Sequence, residues 1–307
     1  MMNFLTMDYF VALAEERNFT RAAERLHITQ QTLSAHIATL EKEVGGALFV
    51  RHVPLELTHA GQVFYRYALS FQKDYRSLRQ KLADVNQQEA GDLRLGTAPT
   101  RERMLLPDIL PAFQRVYPHV RFVLVEGSNL SLQQKLLDGD LDLAVAQFSR
   151  SVPGLEITPF YQEEIVLVLP RILTGDDVAE PRTRQEWKAL LSRLPILLNS
   201  DTNIAGRTAR RLFSTCRVQP DIKVESDNLD TLLALSAAGV GAAFSPRNLV
   251  RQVLSGREQQ FQLLSLPNAA YTISFGCRRE RDRWSVLDRF MEQARKTVQQ
   301  GKAWSII

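Results

Sequence analysis

Apolar and polar positions along this chain change rhythm three times. Residues 6–45 follow a helical period. Tyr9, Phe10 and Leu13 share one face of a helix predicted over Thr6–Arg17, and Ala22, Ala23 and Leu26 share a face of a second helix that Thr20 is placed to cap. Ile28 falls in a turn and Thr29 precedes a third helix. There Leu33, Ile37, Leu40 and Val44 recur at helical spacing as one buried stripe, with Gly45 placed to end it. Residues 48–58 set two short β-rich pieces around Pro54, which predicts a small hairpin. From Thr58 to about Gln88 runs a long helix whose Phe64, Ala68, Phe71, Tyr75, Leu78, Leu82 and Val85 keep an a/d heptad seam. Such a seam predicts pairing with a second copy. The polar break Gln87–Gly91 marks a domain boundary. Beyond it short buried strands (93–96, 120–125, 141–146, 165–169, 196–198, 222–224, 241–244, 271–275) alternate with helical stretches (103–116, 130–137, 183–192, 205–216, 229–238, 281–299). That alternation predicts two α/β units on largely parallel sheets.

The third helix is polar in an unusual way on its outer face. Gln31, Ala35, Ala38 and Lys42 point outward, flanked by Gln30 and Ser34. A small, hydrogen-bonding surface of this kind suits the DNA major groove, where Gln can bond adenine twice and Ser several base edges. A helix-turn-helix inserts its second helix N-terminus first, which makes Gln30, Gln31 and Ser34 base-reading candidates. An ordinary antiparallel helix pair with a polar face fits these residues equally well. The following hairpin favours a winged helix-turn-helix, its tip running from Arg51 to Leu55.

Charge complicates this reading. The 307 residues carry a formal +4, but residues 1–60 hold five Lys/Arg against seven Asp/Glu, a net −2. Phosphate neutralisation supplies much of DNA affinity, so an acidic reading head is unusual, and a sequence-independent architectural DNA binder would need a more basic surface. Four of the five histidines, His27, His36, His52 and His59, lie in this segment, as polar surface groups or as added positive charge. Cys216 and Cys277 have no metal or disulfide spacing and read as buried free thiols. No secretory pattern opens the chain and no apolar run is long enough for a membrane helix, so a soluble cytoplasmic protein is expected.

The runs Phe19–Ala23, Leu26–Ser34, Ile37…Leu40-Glu41…Gly45, Leu48–Arg51 and Leu57–Gly61 resemble the LysR-type transcriptional regulators. So do Leu106-Pro107…Phe113…Tyr117-Pro118, Glu126-Gly127, Gly139–Ala144 and Ala238–Gly241…Ser245-Pro246, and the likeness covers essentially the whole chain. The resemblance implies a winged helix-turn-helix over 1–58, a linker helix that dimerises over 59–90, and a regulatory domain over 91–307. That domain would have two Rossmann-like halves (91–163 with 268–307, and 164–267) resembling periplasmic binding proteins. It further implies effector-controlled transcription by a homotetramer, with double-stranded DNA, a small molecule and RNA polymerase as partners, and no resident cofactor or metal. Its DNA-contacting positions map to Thr20, Arg21, Thr29, Gln30, Gln31, Thr32, Ser34, His36 and Arg51, the last a backbone contact. The family often has Pro at Gln31 and basic residues near Ala35 and Pro54. Losing those two cations fits the net −2.

Ligands of two-lobed α/β domains bind beyond the carboxyl ends of the strands. Thr97, Thr100 and Arg101 follow the first strand and open a helix, a candidate anion site to which Arg103 adds charge. Ser128 and Asn129 follow the second strand. Ser200 and Thr202, then Ser226 and Asn228, follow two strands of the other half. Each of these is equally well a cap or turn residue. The donor-rich Thr100–Arg101 pair suggests a small carboxylate as effector. No nucleotide loop, HExxH or GxSxG pattern is present, which argues against an enzyme. A small-molecule binding protein without DNA function is the remaining alternative.

Overall fold

The computed structural model describes residues 3–50, 54–85, 90–149, 151–279, 283–300 and 305–306. Contacts divide the chain into two compact units, Met1–Asn86 and Gln87–Ile307.

The first unit opens with α1 (Phe4–Glu16), α2 (Phe19–Arg25) and α3 (Gln30–Val44). Asn3 caps α1. Asn18, not Thr20, caps α2: its Oδ1 accepts from the N–H groups of Thr20 (2.9 Å) and Arg21 (3.1 Å), which places Thr20 inside the first turn. The turn into α3 needs one left-handed residue, supplied by His27 at φ 54°. Thr29 caps α3, and Gly45 ends it at φ 77°, a conformation that L side chains resist. Leu33, Ile37 and Leu40 are fully buried against Tyr9, Phe10 and Leu13, as the periodicity requires. Val44 instead lies at the fraying end and is exposed.

A two-stranded wing, β1 (Phe49–Val50) and β2 (Glu56–Leu57), is held by Glu41, whose Oε1 accepts from the N–H groups of Leu48 and Phe49. The predicted wing tip is only partly described. Arg51, His52 and Val53 lie outside the described residues, Pro54 is exposed, and Leu55 turns back into the core. The long helix α4 (His59–Val85) crosses the wing at Gly61. A Cβ there would sit 2.0 Å from the Leu48 carbonyl oxygen, so the crossing demands glycine. The heptad seam splits along α4. Phe64 and Ala68 pack on Phe10 in the core of their own unit, while Phe71, Tyr75, Leu78 and Leu82 are exposed.

The second unit runs β3 (Gly91–Thr97), α5 (Pro99–Gln114), β4 (Val120–Glu126), α6 (Asn129–Leu137), β5 (Leu143–Ala146), β6 (Leu155–Pro170) and α7 (Arg184–Leu191). It continues with β7 (Pro195–Leu198), α8 (Ile204–Cys216), β8 (Asp221–Glu225), α9 (Leu229–Ala237), β9 (Ala242–Pro246), α10 (Arg247–Val253), β10 (Phe261–Arg278), α11 (Ser285–Gln300) and the short β11 (Ser305–Ile306). The sheet order is β4-β3-β5-β10-β6-β9-β7-β8, with β11 pairing on β6. Each end of the sheet is three parallel strands with helices on its faces. The two ends are joined by β6 and β10, which run antiparallel from Phe261↔Pro170 to Arg278↔Leu155, with register shifts at Ser265/Ala270 and Ile273/Ser274.

Periodicity finds only one apolar stretch in each of these two strands, 165–169 at the end of β6 and 271–275 within β10. Their polar middles, Gln162-Glu163-Glu164 and Pro267-Asn268, break the alternation and read as loop. α10 has no counterpart in the predicted pattern, and α5 begins at Pro99, four residues before the predicted helix. In each lobe the apolar core lies between sheet and helices, with Phe160 and Tyr161 of β6 in one core and Ile165–Leu169 in the other. Asp142 stitches the first lobe: its carboxylate accepts from the Arg94 N–H, and its own N–H donates to the Arg94 carbonyl. Cys216 and Cys277 are free and buried. Among the described residues no helix is long and apolar enough to cross a membrane, and no His/Cys/Asp/Glu cluster could hold a metal ion.

Candidate functional site

The first candidate surface is the start of α3. Because Thr29 sits at the N-cap, Gln30, Gln31 and Thr32 form the first turn, and all three are exposed. The hydroxyls of Thr29 and Thr32 hydrogen-bond each other at 2.8 Å, and Thr29 Oγ1 also accepts the Thr32 N–H at 3.1 Å. Both threonines are thereby fixed as a cap. Ser34 is half-buried one turn on. His36 is also half-buried, its ring edge-on to Tyr9 at 5.0 Å, so it is committed to packing. Thr20 and Arg21 are exposed on α2, and Arg21 donates to the Glu16 carbonyl at 2.9 Å. Arg25 spends its charge on Glu15 (2.7 Å) and Glu16 (3.3 Å). Arg25 is thus engaged by two acids and is not offered to a partner, and Glu41 faces the wing backbone. Arg51 lies outside the described residues.

The second candidate is a cavity of about 360 Å³ at the carboxyl ends of β3, β4 and β8, between the two lobes of the second unit. Its walls include Thr100, Arg101, Ser128, Asn129 and Thr202 among the expected residues. An adjoining depression shares Ser128, Asn129 and Thr202 and adds Gln147 and Arg207. Four expected residues are not brought into either. Thr97 is buried in β3. Ser200 bonds Thr202 Oγ1 at 2.7 Å. Ser226 accepts from the Asn228 N–H, and Asn228 caps α9. Ser128 and Asn129 also serve the backbone: Ser128 caps α6, and Asn129 Oδ1 accepts the Gln147 N–H at 3.1 Å. A larger cavity, about 590 Å³, lies on the second lobe beside Trp187 and Arg211, away from the strand ends and from every expected residue.

Sequence reading misses the floor of the inter-lobe cavity. Arg101 is 5% exposed and donates to Glu163 Oε2 at 3.2 Å. Glu163 is equally buried, and its carboxylate also accepts from Tyr161 Oη (3.1 Å) and from Tyr271 Oη. Burial first, and then the Glu163 charge, hold both phenols well above their usual range, so both stay protonated as donors. Desolvation opposes the Arg101 charge, but Glu163 more than offsets it, so the guanidinium stays charged. Arg103 is likewise engaged, with Asp230 of α9 at 2.7 Å, tying one lobe to the other. Arg101, which with Thr100 suggested a carboxylate effector, is thus neutralised by a protein carboxylate, and so is the neighbouring Arg103. Glu163 lies in the polar middle of β6, which carries no periodic signal, and Tyr271 opens an apolar stretch of β10, so nothing in the sequence pairs either with Arg101.

A family model described as bacterial regulatory helix-turn-helix protein, lysR family, matches residues 5–62. A second, LysR substrate binding domain, matches residues 86–299. Among curated proteins, the Hca operon transcriptional activator HcaR of Escherichia coli (strain K12) is 34% identical over 80% of this chain and 82% of its own length. The uncharacterized HTH-type transcriptional regulator YcgK of Bacillus subtilis (strain 168) is 28% identical over 97% of this chain and 96% of its own. Among solved structures, full-length CbnR complexed with its target DNA superposes with a TM-score of 0.67 at 24% identity, over 96% of this chain and all of that one. A full-length OxyR from Pseudomonas aeruginosa gives 0.66 at 23% identity, over 96% and 95%. At such identities these structures speak for the fold.

Proposed function

Because the chain belongs to the LysR family of helix-turn-helix transcriptional regulators, a DNA-binding regulator with an effector domain and not an enzyme, we propose that it reads its operator with the first turn of α3 and is controlled through the inter-lobe cavity. The exposed, capped turn Gln30-Gln31-Thr32 carries the first part of this reading. Glutamine can bond an adenine edge twice, and Ser34 extends the same edge. Arg21 and Arg51 supply backbone contacts, while Thr20 and Thr29 present a helix start to a phosphate. We take residues 1–58 as the reading head, 59–90 as the connecting helix, and 91–163 with 268–307 against 164–267 as the two lobes.

The exposed α4 row Phe71, Tyr75, Leu78 and Leu82 suits a second copy of the chain. Two reading helices then meet two half-sites, and a dimer of dimers, RNA polymerase contact and a cytoplasmic setting complete the proposal. The test is selection of bound fragments from random DNA at stated salt, then anisotropy on the recovered site. Gln31→Ala should cut the ratio of specific to random affinity by about tenfold, whereas Arg21→Ala should weaken both alike and flatten the salt dependence. An unchanged ratio for Gln31→Ala would remove that residue from the reading.

A further inference from the structure

We propose that the effector is a small zwitterion of the amino-acid kind, its carboxylate at the first turn of α5 and its ammonium between Glu126 and Asp227; this rests on the inter-lobe cavity being the effector site. The cavity has an acceptor-seeking end and a cation-seeking end, and both go unanswered by the protein. At the floor, Arg101 is almost wholly buried and its charge is balanced by Glu163, yet its Nε has no hydrogen-bond partner. A buried donor left unmade is costly, and the side chain that carries it lines the cavity. The same turn is open. α5 starts at Pro99 with Ala98 at its N-cap and no side chain closing it, so the N–H groups of Thr100 and Arg101 face outward beside the Thr100 hydroxyl. A carboxylate oxygen set there satisfies these donors together.

The lining also carries two acids. Glu126 ends β4 of one lobe and Asp227 follows β8 of the other. Both line the cavity, and neither carboxylate has a hydrogen bond or ion pair with a described residue. With the Arg101 charge already matched, the surplus facing the ligand is negative. The Glu102 carboxyl close by is pushed up by burial and then by the Glu126 charge, as expected in a negative potential. A simple carboxylate entering here adds a third like charge beside Glu126 and Asp227, which is unfavourable. A simple amine answers Glu126 and Asp227 but leaves Arg101 Nε and the helix end unmet. A molecule bearing both groups answers both sets, draws the two carboxylates together and thereby draws the lobes together. A cavity of about 360 Å³ falls in the size range of small-ligand sites.

The experiment is calorimetric titration of the full-length chain with the common L-amino acids, each beside its deaminated carboxylate and its decarboxylated amine. The expected result is that at least one amino acid binds, and that losing either charged group weakens it by about tenfold or more. Glu126→Gln and Asp227→Asn should each weaken the same amino acid by about tenfold with unchanged melting temperature. Equal binding of the deaminated carboxylate, equal binding of the bare amine, or no amino acid bound at millimolar concentration would each overturn the assignment. Anisotropy of the unliganded chain on DNA tests the regulatory reading separately: amino-acid binding without specific DNA binding would overturn that reading and support this one.

Discussion

Glu163 gathers three donors onto one buried carboxylate, from Arg101, Tyr161 and Tyr271. Removing its charge strands a guanidinium with almost no water access. Glu163→Gln should therefore destabilise the second unit by about 3 kcal/mol, a melting shift of about 6–12 °C for a unit of this size. Pairing it with Arg101→Met should recover part of the loss, since no charge is then left unmatched; a double variant as unstable as the sum of the singles would show that the cluster matters only for packing. Local chemistry is the part of this residue scale that sequence conveys. Thr29 as a cap and Gly45 as a helix stop depend on backbone a few residues away, and both were legible. Thr20 was displaced because the helix starts two residues earlier, where Asn18, a better cap, accepts the N–H groups of Thr20 and Arg21. Arg101 was legible as a cavity residue and illegible as a neutralised one, because its partner lies 62 residues away in sequence.

Helix α4 shows how one pattern can serve two purposes at the scale of an element. Its seam is continuous in sequence, yet Phe64 and Ala68 fill the core of their own unit and only the later positions stay open. Phe4 stacks on Tyr75 at 4.3 Å, widening that open apolar row. Leu78→Asp, half-exposed and distant from the core of the head, should weaken self-association by about tenfold or more while leaving the thermal unfolding of the first unit unchanged. Sedimentation velocity across a dilution series reads this directly; undiminished assembly would mean that copies associate through other surfaces. β6 and β10 make the converse point. One apolar stretch in each obeyed the strand pattern, but the polar middle of β6 is stabilised by side chains from α5 and α10, which no periodicity can display.

At the largest scale, the two lobes share one sheet, Arg103 and Asp230 tie one lobe to the other, and a further ion pair lies inside the second lobe beside the junction. Arg247 of α10 donates to Glu164 at 2.7 Å and also to Ser265. Burial opposes the Glu164 charge, but its bonds to Arg247 and Ser265 outweigh this and hold its carboxyl below the usual range. A lowered folded-state pKa means a stabilisation present above the ordinary carboxylate range and lost as pH falls through the folded value. Glu164→Gln should accordingly melt earlier than the parent near neutral pH, and the gap should close on acidification; a gap that persists in acid would assign the effect to shape alone.

The sequence by itself determined the reading head, the long seam and the βα alternation, because those follow from periods of a few residues and from caps within one turn. It also determined where the cavity would lie, since parallel strands end where their helices begin. Only the tertiary structure decided the charge of that cavity, the course of the two bridging strands and the division of the α4 seam. Each of those depends on side chains brought together from distant parts of the chain, and electrostatic and packing energies are set by distance in space.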